Sequence, residues 1–237
     1  MTAREDEKRS LYMIPGTMCD ERLWRELLPR LPGVVAHHLV IPRGSTVSEL
    51  VAGLVAQLPD WPVNLFGFSL GGYLASALAT AHPDRVRRLF VCSNSPCALP
   101  EEELKQRRQL LNWVSRHGYS GISDRKIAAM LGPANRERAD IAQTMRAMDA
   151  HLGEEALVSQ LGATSEREDL GDSLAKVPLP ITFCFGEYDT LVTRSWLDAL
   201  RKHRPDTAVH EVPEAGHMLP LEQPEGLAAI LDRWIAA

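Results

Sequence analysis

Six short apolar runs, rich in Val, Ile, Leu and Phe, are spread along the chain with amphipathic segments between them, at residues 11–14, 34–41, 63–68, 88–92, 181–185 and 208–212. Most are too short to be helices, and their near-continuous apolar character suits strands covered on both faces. Strands alternating with helices build a largely parallel sheet with helices on each side. The expected fold is therefore α/β, with a central sheet of about six strands.

Between the runs, residues 21–31 place Leu23, Trp24, Leu27, Leu28 and Leu31 at helical spacing. Thr46-x-x-Glu49 reads as a capping box, in which each side chain bonds the other's backbone N–H, opening a helix that runs to about residue 58, before Pro59. A small, Ala-rich helix is expected over 70–81, ending at His82-Pro83, and two more over 191–202 and 223–236. The stretch from about residue 96 to 176 breaks the rhythm. It holds no convincing strand, and helical segments at 101–117, 124–131, 135–152 and 154–162 are punctuated by Gly118, Gly121, Gly132-Pro133 and Gly153. A helical insertion between two strands is a cap or lid candidate. The expected organisation is a core of residues 1–97 and 170–237 interrupted by a helical cap at 98–169.

Composition narrows the function classes. A formal charge of −5 over 237 residues, with no basic stripe interleaved with aromatics, argues against nucleic acid as a partner. The four cysteines, Cys19, Cys92, Cys97 and Cys184, form no C-x-x-C pair, and H-E-x-x-H does not occur, so no dedicated metal site is expected. Reduced, mostly buried thiols are expected instead. No run of about 18 apolar residues exists to span a membrane, and the first ten residues mix both charges without the apolar stretch of a signal peptide. A cytoplasmic protein with residues 1–9 frayed is the expectation.

The chemistry enters at Gly67-Phe68-Ser69-Leu70-Gly71. A G-x-S-x-G pattern alone is weak, but this one directly follows an apolar strand and directly precedes an Ala-rich helix. That is the context in which a serine hydroxyl is exposed on a sharp turn, with glycines where side chains would collide. The helix that follows points its N-terminal N–H groups at the reacting centre, where negative charge would develop. A phosphate-cradling loop is disfavoured, since neither G-x-G-x-x-G spacing nor G-x-x-x-x-G-K-[ST] is present.

A nucleophilic serine needs a base. Of the eight histidines, His217 follows the last expected strand and precedes the last helix, which puts it at the carboxyl edge of the sheet, the edge that also carries Ser69. Asp189 leaves the 181–185 strand at the same edge and is the candidate to accept the His217 Nδ1–H and fix its tautomer. Glu187 is a nearby alternative and Glu214 a poorer one.

Together these segments resemble the α/β-hydrolase superfamily. The likeness extends to Ala81-His82-Pro83-Asp84-Arg85-Val86, to Ala215-Gly216-His217 and to Glu222-Gln223-Pro224-Glu225, and it covers nearly the whole chain outside the insertion. Within the superfamily the chain looks like the small carboxylesterase, thioesterase and lactonase branch with a helical cap. The resemblance implies the chain order Ser69, Asp189, His217 for a catalytic triad. It also implies an oxyanion hole built from the N–H of Leu70 and from the loop after the first strand. There Pro15 stands where the family usually has histidine, but Gly16 aligns with the family glycine, so the resemblance makes Thr17 the expected second donor and Met18 the next candidate.

The cap supplies Trp113, Tyr119, Met130, Leu131, Met145, Met148 and Leu152, which form either its own small core or, for Trp113, Met145 and Met148 together with Met18, part of an acyl pocket. Arg107, Arg108 and Arg116 are expected to be solvated rather than substrate-binding. The expected reaction is acyl transfer from a small, largely apolar ester or thioester to water through an acyl-serine. The same residues would serve C–C bond hydrolysis, lactone opening or perhydrolysis, and a non-catalytic small-molecule receptor is the alternative outside enzymes.

Overall fold

Six strands form one sheet in the order β2-β1-β3-β4-β5-β6. They are β1 (Ser10–Ile14), β2 (Val35–His38), β3 (Val63–Phe68), β4 (Val86–Cys92), β5 (Ile181–Gly186) and β6 (Ala208–Val212). Every neighbouring pair runs parallel. This computed structural model describes residues 9–237. The expected fraying of residues 1–9 lies outside that range except at Arg9, which is held: its Nε donates to Gly33 O at 3.0 Å and its Nη2 pairs with Asp232 at 3.0 Å.

Strand residues alternate between two apolar layers, as the pleat requires. Tyr12, Ile14, Leu65, Leu89, Val91, Phe183 and Phe185 face one layer, which is closed by helices α1 (Val47–Val55) and α2 (Leu70–Ala81). Leu11, Met13, Phe66, Phe68, Phe90, Cys92 and Cys184 face the other, closed by Leu23, Trp24 and Leu27 and by the C-terminal helix.

At the start of α1, Thr46 Oγ1 accepts from Glu49 N at 3.2 Å, whereas the Glu49 carboxylate reaches one residue further back, to Ser45 N at 2.7 Å. The helix ends at Val55, short of residue 58, because Gln57 turns its amide onto Gly53 O and Val40 O. Residues 21–31 do not form the expected single helix. They form two 3-10 turns, Glu21–Trp24 and Leu28–Arg30, with i to i+3 bonds such as Leu27 N to Trp24 O at 3.0 Å. Pro29 lacks an N–H and restricts Leu28, so an α-helical ladder cannot pass through this point.

Between β4 and β5 come α3 (Glu101–His117), α4 (Asp124–Met130), α5 (Ala139–Thr164) and the short α6 (Gly171–Leu174). Gly153, at φ 69°, breaks α5 into two helices, where the sequence places its punctuation. Asn135, expected to open that helix, instead belongs to a 3-10 turn, Pro133–Asn135. After β5, α7 (Arg194–His203) begins later than residue 191, because Thr193 N is drawn to Ser95 Oγ at 2.8 Å. The chain closes with α8 (Leu219–Glu222) and α9 (Pro224–Ala236), the latter with Pro224 in its first turn, where a missing N–H costs nothing.

Candidate active site

Strands β1 and β3 are neighbours, yet β1 leads on to β2 at one side and β3 to β4 at the other. The connections therefore diverge at the carboxyl edge and leave a crevice, the place where open α/β sheets bind ligands. Ser69 stands at its rim. It is the single residue between β3 and α2 and takes φ 52°, ψ −118°, a region a residue with a side chain normally avoids. Such a conformation costs about 1–3 kcal/mol and persists only where neighbours enforce it. Here Ser69 N donates to Cys92 O at 2.8 Å, and Ser69 O accepts from Gly72 N at 2.8 Å.

The flanking glycines are sterically required. A Cβ on Gly67 would sit 2.2 Å from Gly71 O, and one on Gly71 would sit 2.3 Å from Ile14 O. The loop after β1 lies directly against the serine, since a Cβ on Gly16 would come within 3.1 Å of Ser69 Cβ.

His217 and Asp189 converge on the same point. His217 Nε2 is 2.9 Å from Ser69 Oγ, and its Nδ1 is 3.1 and 3.0 Å from the two oxygens of Asp189. An ionised carboxylate only accepts, so Nδ1 carries the proton and Nε2 is left to accept from the serine hydroxyl. Asp189 Oδ1 also accepts from Leu191 N at 3.0 Å, and both residues are buried, while Ser69 stays partly open. The Phe68 ring, 5.4 Å from the imidazole, helps to exclude water from one side. Neither alternative acid bonds the histidine: Glu187 Oε2 accepts from Glu214 N at 3.1 Å, with Glu187 half-buried after β5 and Glu214 exposed after β6.

Among the described residues, no acceptor takes the N–H of Leu70 or Thr17. Met18 differs. At φ 56° it donates its N–H to Gln160 Oε1 at 3.0 Å, which removes it as the second open donor of this loop. Sequence reasoning missed Gln160. The available signal was a polar residue on the buried stripe Leu157, Gln160, Leu161, Thr164, since a buried amide needs a partner.

The residues expected to line an acyl pocket separate into a buried and an exposed group. Met145 and Met148 are buried with Ile127, Leu131 and Ile141 in the same apolar layer as Phe68 and Met218, and Met18 packs with Val114, Leu157 and Leu161. Trp113 does not join them: it is 60% exposed and stacks on His117 at 3.9 Å between ring centres. It follows the exposed face of α3, so its expected place in an acyl pocket is not met. Arg107 is taken up by Glu103 and Thr164.

The thiols nearby are poor competitors as nucleophiles. Burial, with Asp20 adding to it, pushes Cys19 up to about 12; burial likewise pushes Cys184 up to about 12 and Cys92 well above its usual range. All four cysteines are free. Among the described residues there is no group of three or more His, Cys, Asp or Glu side chains able to hold a metal, and no helix long and apolar enough to cross a membrane. Two surface clefts, of about 320 and 360 Å³, lie away from the serine and contain none of Ser69, Asp189 and His217.

The sequence profile of the alpha/beta hydrolase family matches residues 11–230. The pimeloyl-[acyl-carrier protein] methyl ester esterase of Aeromonas hydrophila is 25% identical over 95% of this chain and 94% of its own. Among solved structures, a thermophilic esterase from Thermogutta terrifontis superposes with a TM-score of 0.84 at 24% identity, over 96% of this chain and 89% of that one. The enol-lactonase of Burkholderia xenovorans superposes at 0.83 with 18% identity, over 96% and 91%. The two superpositions establish the fold, and the profile match establishes the kinship.

Proposed function

The chain belongs to the alpha/beta hydrolase family, and from that premise we propose that it is a serine esterase in which Ser69 is the nucleophile, His217 the general base and Asp189 its orienting acid. One observation carries this: a partly open serine hydroxyl lies 2.9 Å from an imidazole whose other nitrogen faces a buried carboxylate at 3.0 Å. The esterase name of the Aeromonas hydrophila relative, at 25% identity, supports an ester as the bond cleaved.

Ser69 Oγ attacks the ester carbonyl while His217 Nε2 takes its proton, and Asp189 stabilises the imidazolium. The N–H groups of Leu70 and Thr17 hold the oxyanion, where fixed donors act most strongly because they need no reorganisation. Collapse breaks the bond to the leaving alcohol, which takes the proton from His217 and leaves an acyl-Ser69. A water, deprotonated by His217, releases the acid and restores the serine. No step calls for a metal or organic cofactor. The helices between β4 and β5 act as the cap, and Met145 and Met148 from it, with Met18 from the loop after β1, make the acyl pocket adaptable.

Hydrolysis of nitrophenyl esters of increasing chain length, set beside acyl thioesters, tests this. Ser69-dependent turnover is expected, with Ser69→Ala losing at least about 10⁴-fold in kcat. A folded wild-type protein without turnover on either class would overturn the esterase assignment and favour a receptor or a C–C bond substrate.

A further inference from the structure

The Glu222-Gln223-Pro224 segment has no part in the mechanism above, yet Glu222 is one of the most deeply buried charged residues, at 3% exposure. Among the described residues no Lys, Arg or His forms a direct ion pair with it; Arg138 acts on it only through space, and the hydrogen bonds it accepts all come from N–H donors. Those donors come from two places. Gly216 N lies 3.0 Å from each carboxylate oxygen, Gly132 N is 2.7 Å from Oε2, and Asn135 Nδ2 is 3.0 Å from the same oxygen. Gly216 adjoins His217, whereas Gly132 and Asn135 belong to the segment that follows α4.

Other contacts join the same two segments. His217 N donates to Met130 O at 2.7 Å, and Asn135 Nδ2 also donates to Glu214 O at 2.9 Å. The peptide at Ala215-Gly216 is pinched between glycines: a Cβ on Gly186 would sit 2.3 Å from Gly216 O, and one on Gly216 would sit 2.5 Å from Gly132 N. Close backbone approach of this kind lets peptide N–H groups from both segments reach one buried carboxylate. Charge-assisted bonds to a carboxylate are about twice as strong as neutral ones.

We propose that Glu222 is a positioning residue: its carboxylate joins the His217 loop to the 130–135 segment of the cap and so fixes the imidazole against Ser69. It acts through the backbone of Gly216 and touches no reacting atom. The base of the cap at 130–135 is thereby part of the catalytic scaffold, and any opening of the cap must bend elsewhere. This inference rests on the esterase assignment for its kinetic consequence only.

The test is Glu222→Gln, an isosteric change that removes the charge and turns an N–H toward donors that need an acceptor. A misplacement of a fraction of an ångström at the base costs about tenfold or more in rate. The expected result is kcat down at least about tenfold with KM within about twofold, and an equal fall in the rate at which a fluorophosphonate labels Ser69. A purely structural role would instead lower the unfolding midpoint and leave kcat of the folded enzyme unchanged, and that result overturns the proposal. If Glu222→Gln does not fold, Asn135→Ala keeps the carboxylate and removes one cap-side donor; a fall in kcat with unchanged KM supports the joint, and an unchanged kcat overturns it. Amide hydrogen exchange supplies an activity-free readout. Segments 130–135 and 214–218 should lose protection together in the variant, and unchanged protection overturns the joint even if wild type proves to have no turnover, an outcome that would separately refute the esterase assignment.

Discussion

At the scale of single residues, the imidazoles show how a ring's neighbours decide its state. His217 needs its Nδ1 protonated because that nitrogen faces only a carboxylate, so Nε2 is free to accept from Ser69. His38 is the opposite case: its Nδ1 accepts from Trp24 Nε1 at 3.0 Å, and burial lowers its pKa from the usual 6.5. Burial lowers His37 and His210 in the same direction. A histidine with a depressed folded-state pKa binds fewer protons folded than unfolded, so its contribution is complete above the unfolded pKa. It is lost as pH falls through the folded one. Melting temperature should therefore drop as pH falls from about 7.5 to 5, and His38→Gln, which keeps an acceptor for Trp24 but does not titrate, should flatten the slope. An equally steep slope in the variant would contradict this assignment. The sequence marks Ser69 and its glycines clearly, because a strained turn leaves a local signature. It leaves the Met18 to Gln160 bond all but unmarked, because those partners lie 142 positions apart.

Elements differ in how plainly the chain declares them. Strands β3 and β6 and helix α2 match their apolar runs residue for residue, because pattern, length and boundary signals agree there. The 21–31 segment fails as a helix although its apolar spacing is helical, because Pro29 outweighs periodicity. For the cap, periodicity identifies helices but not which neighbour each face meets. That is why Trp113 reads like Met145 and Met148 in sequence and differs from them in space. Urea unfolding separates the two cases. Met148→Ala, at 1% exposure, should cost about 2–4 kcal/mol through the cavity it leaves. Trp113→Ala should change stability by no more than about 0.5 kcal/mol and leave ester turnover intact. A larger cost at Trp113 would mean that its face of α3 is covered.

For the molecule as a whole, the order β2-β1-β3-β4-β5-β6 places the crevice, and the crevice gathers residues distant in sequence. Ser69 comes from β3, the Thr17 loop from β1, Asp189 from β5 and His217 from the turn after β6. The alternation of runs made the parallel sheet and this shared edge legible, since both follow from connectivity. The seating of the helices between β4 and β5 was not, because it depends on long-range packing of Ile127, Leu131, Ile141, Met145 and Met148 into the layer that holds Phe68 and Met218. In this arrangement the helices between β4 and β5 and the sheet share one apolar layer. The central claim is that Ser69 becomes acylated with His217 as its base. Intact-mass and peptide analysis after a rapid quench with nitrophenyl acetate tests it most directly. One acetyl group is predicted on the peptide carrying Ser69 in wild type, and none in Ser69→Ala or in His217→Ala within the same interval; an acetyl group on any other residue at that stoichiometry, or full labelling without His217, would contradict it.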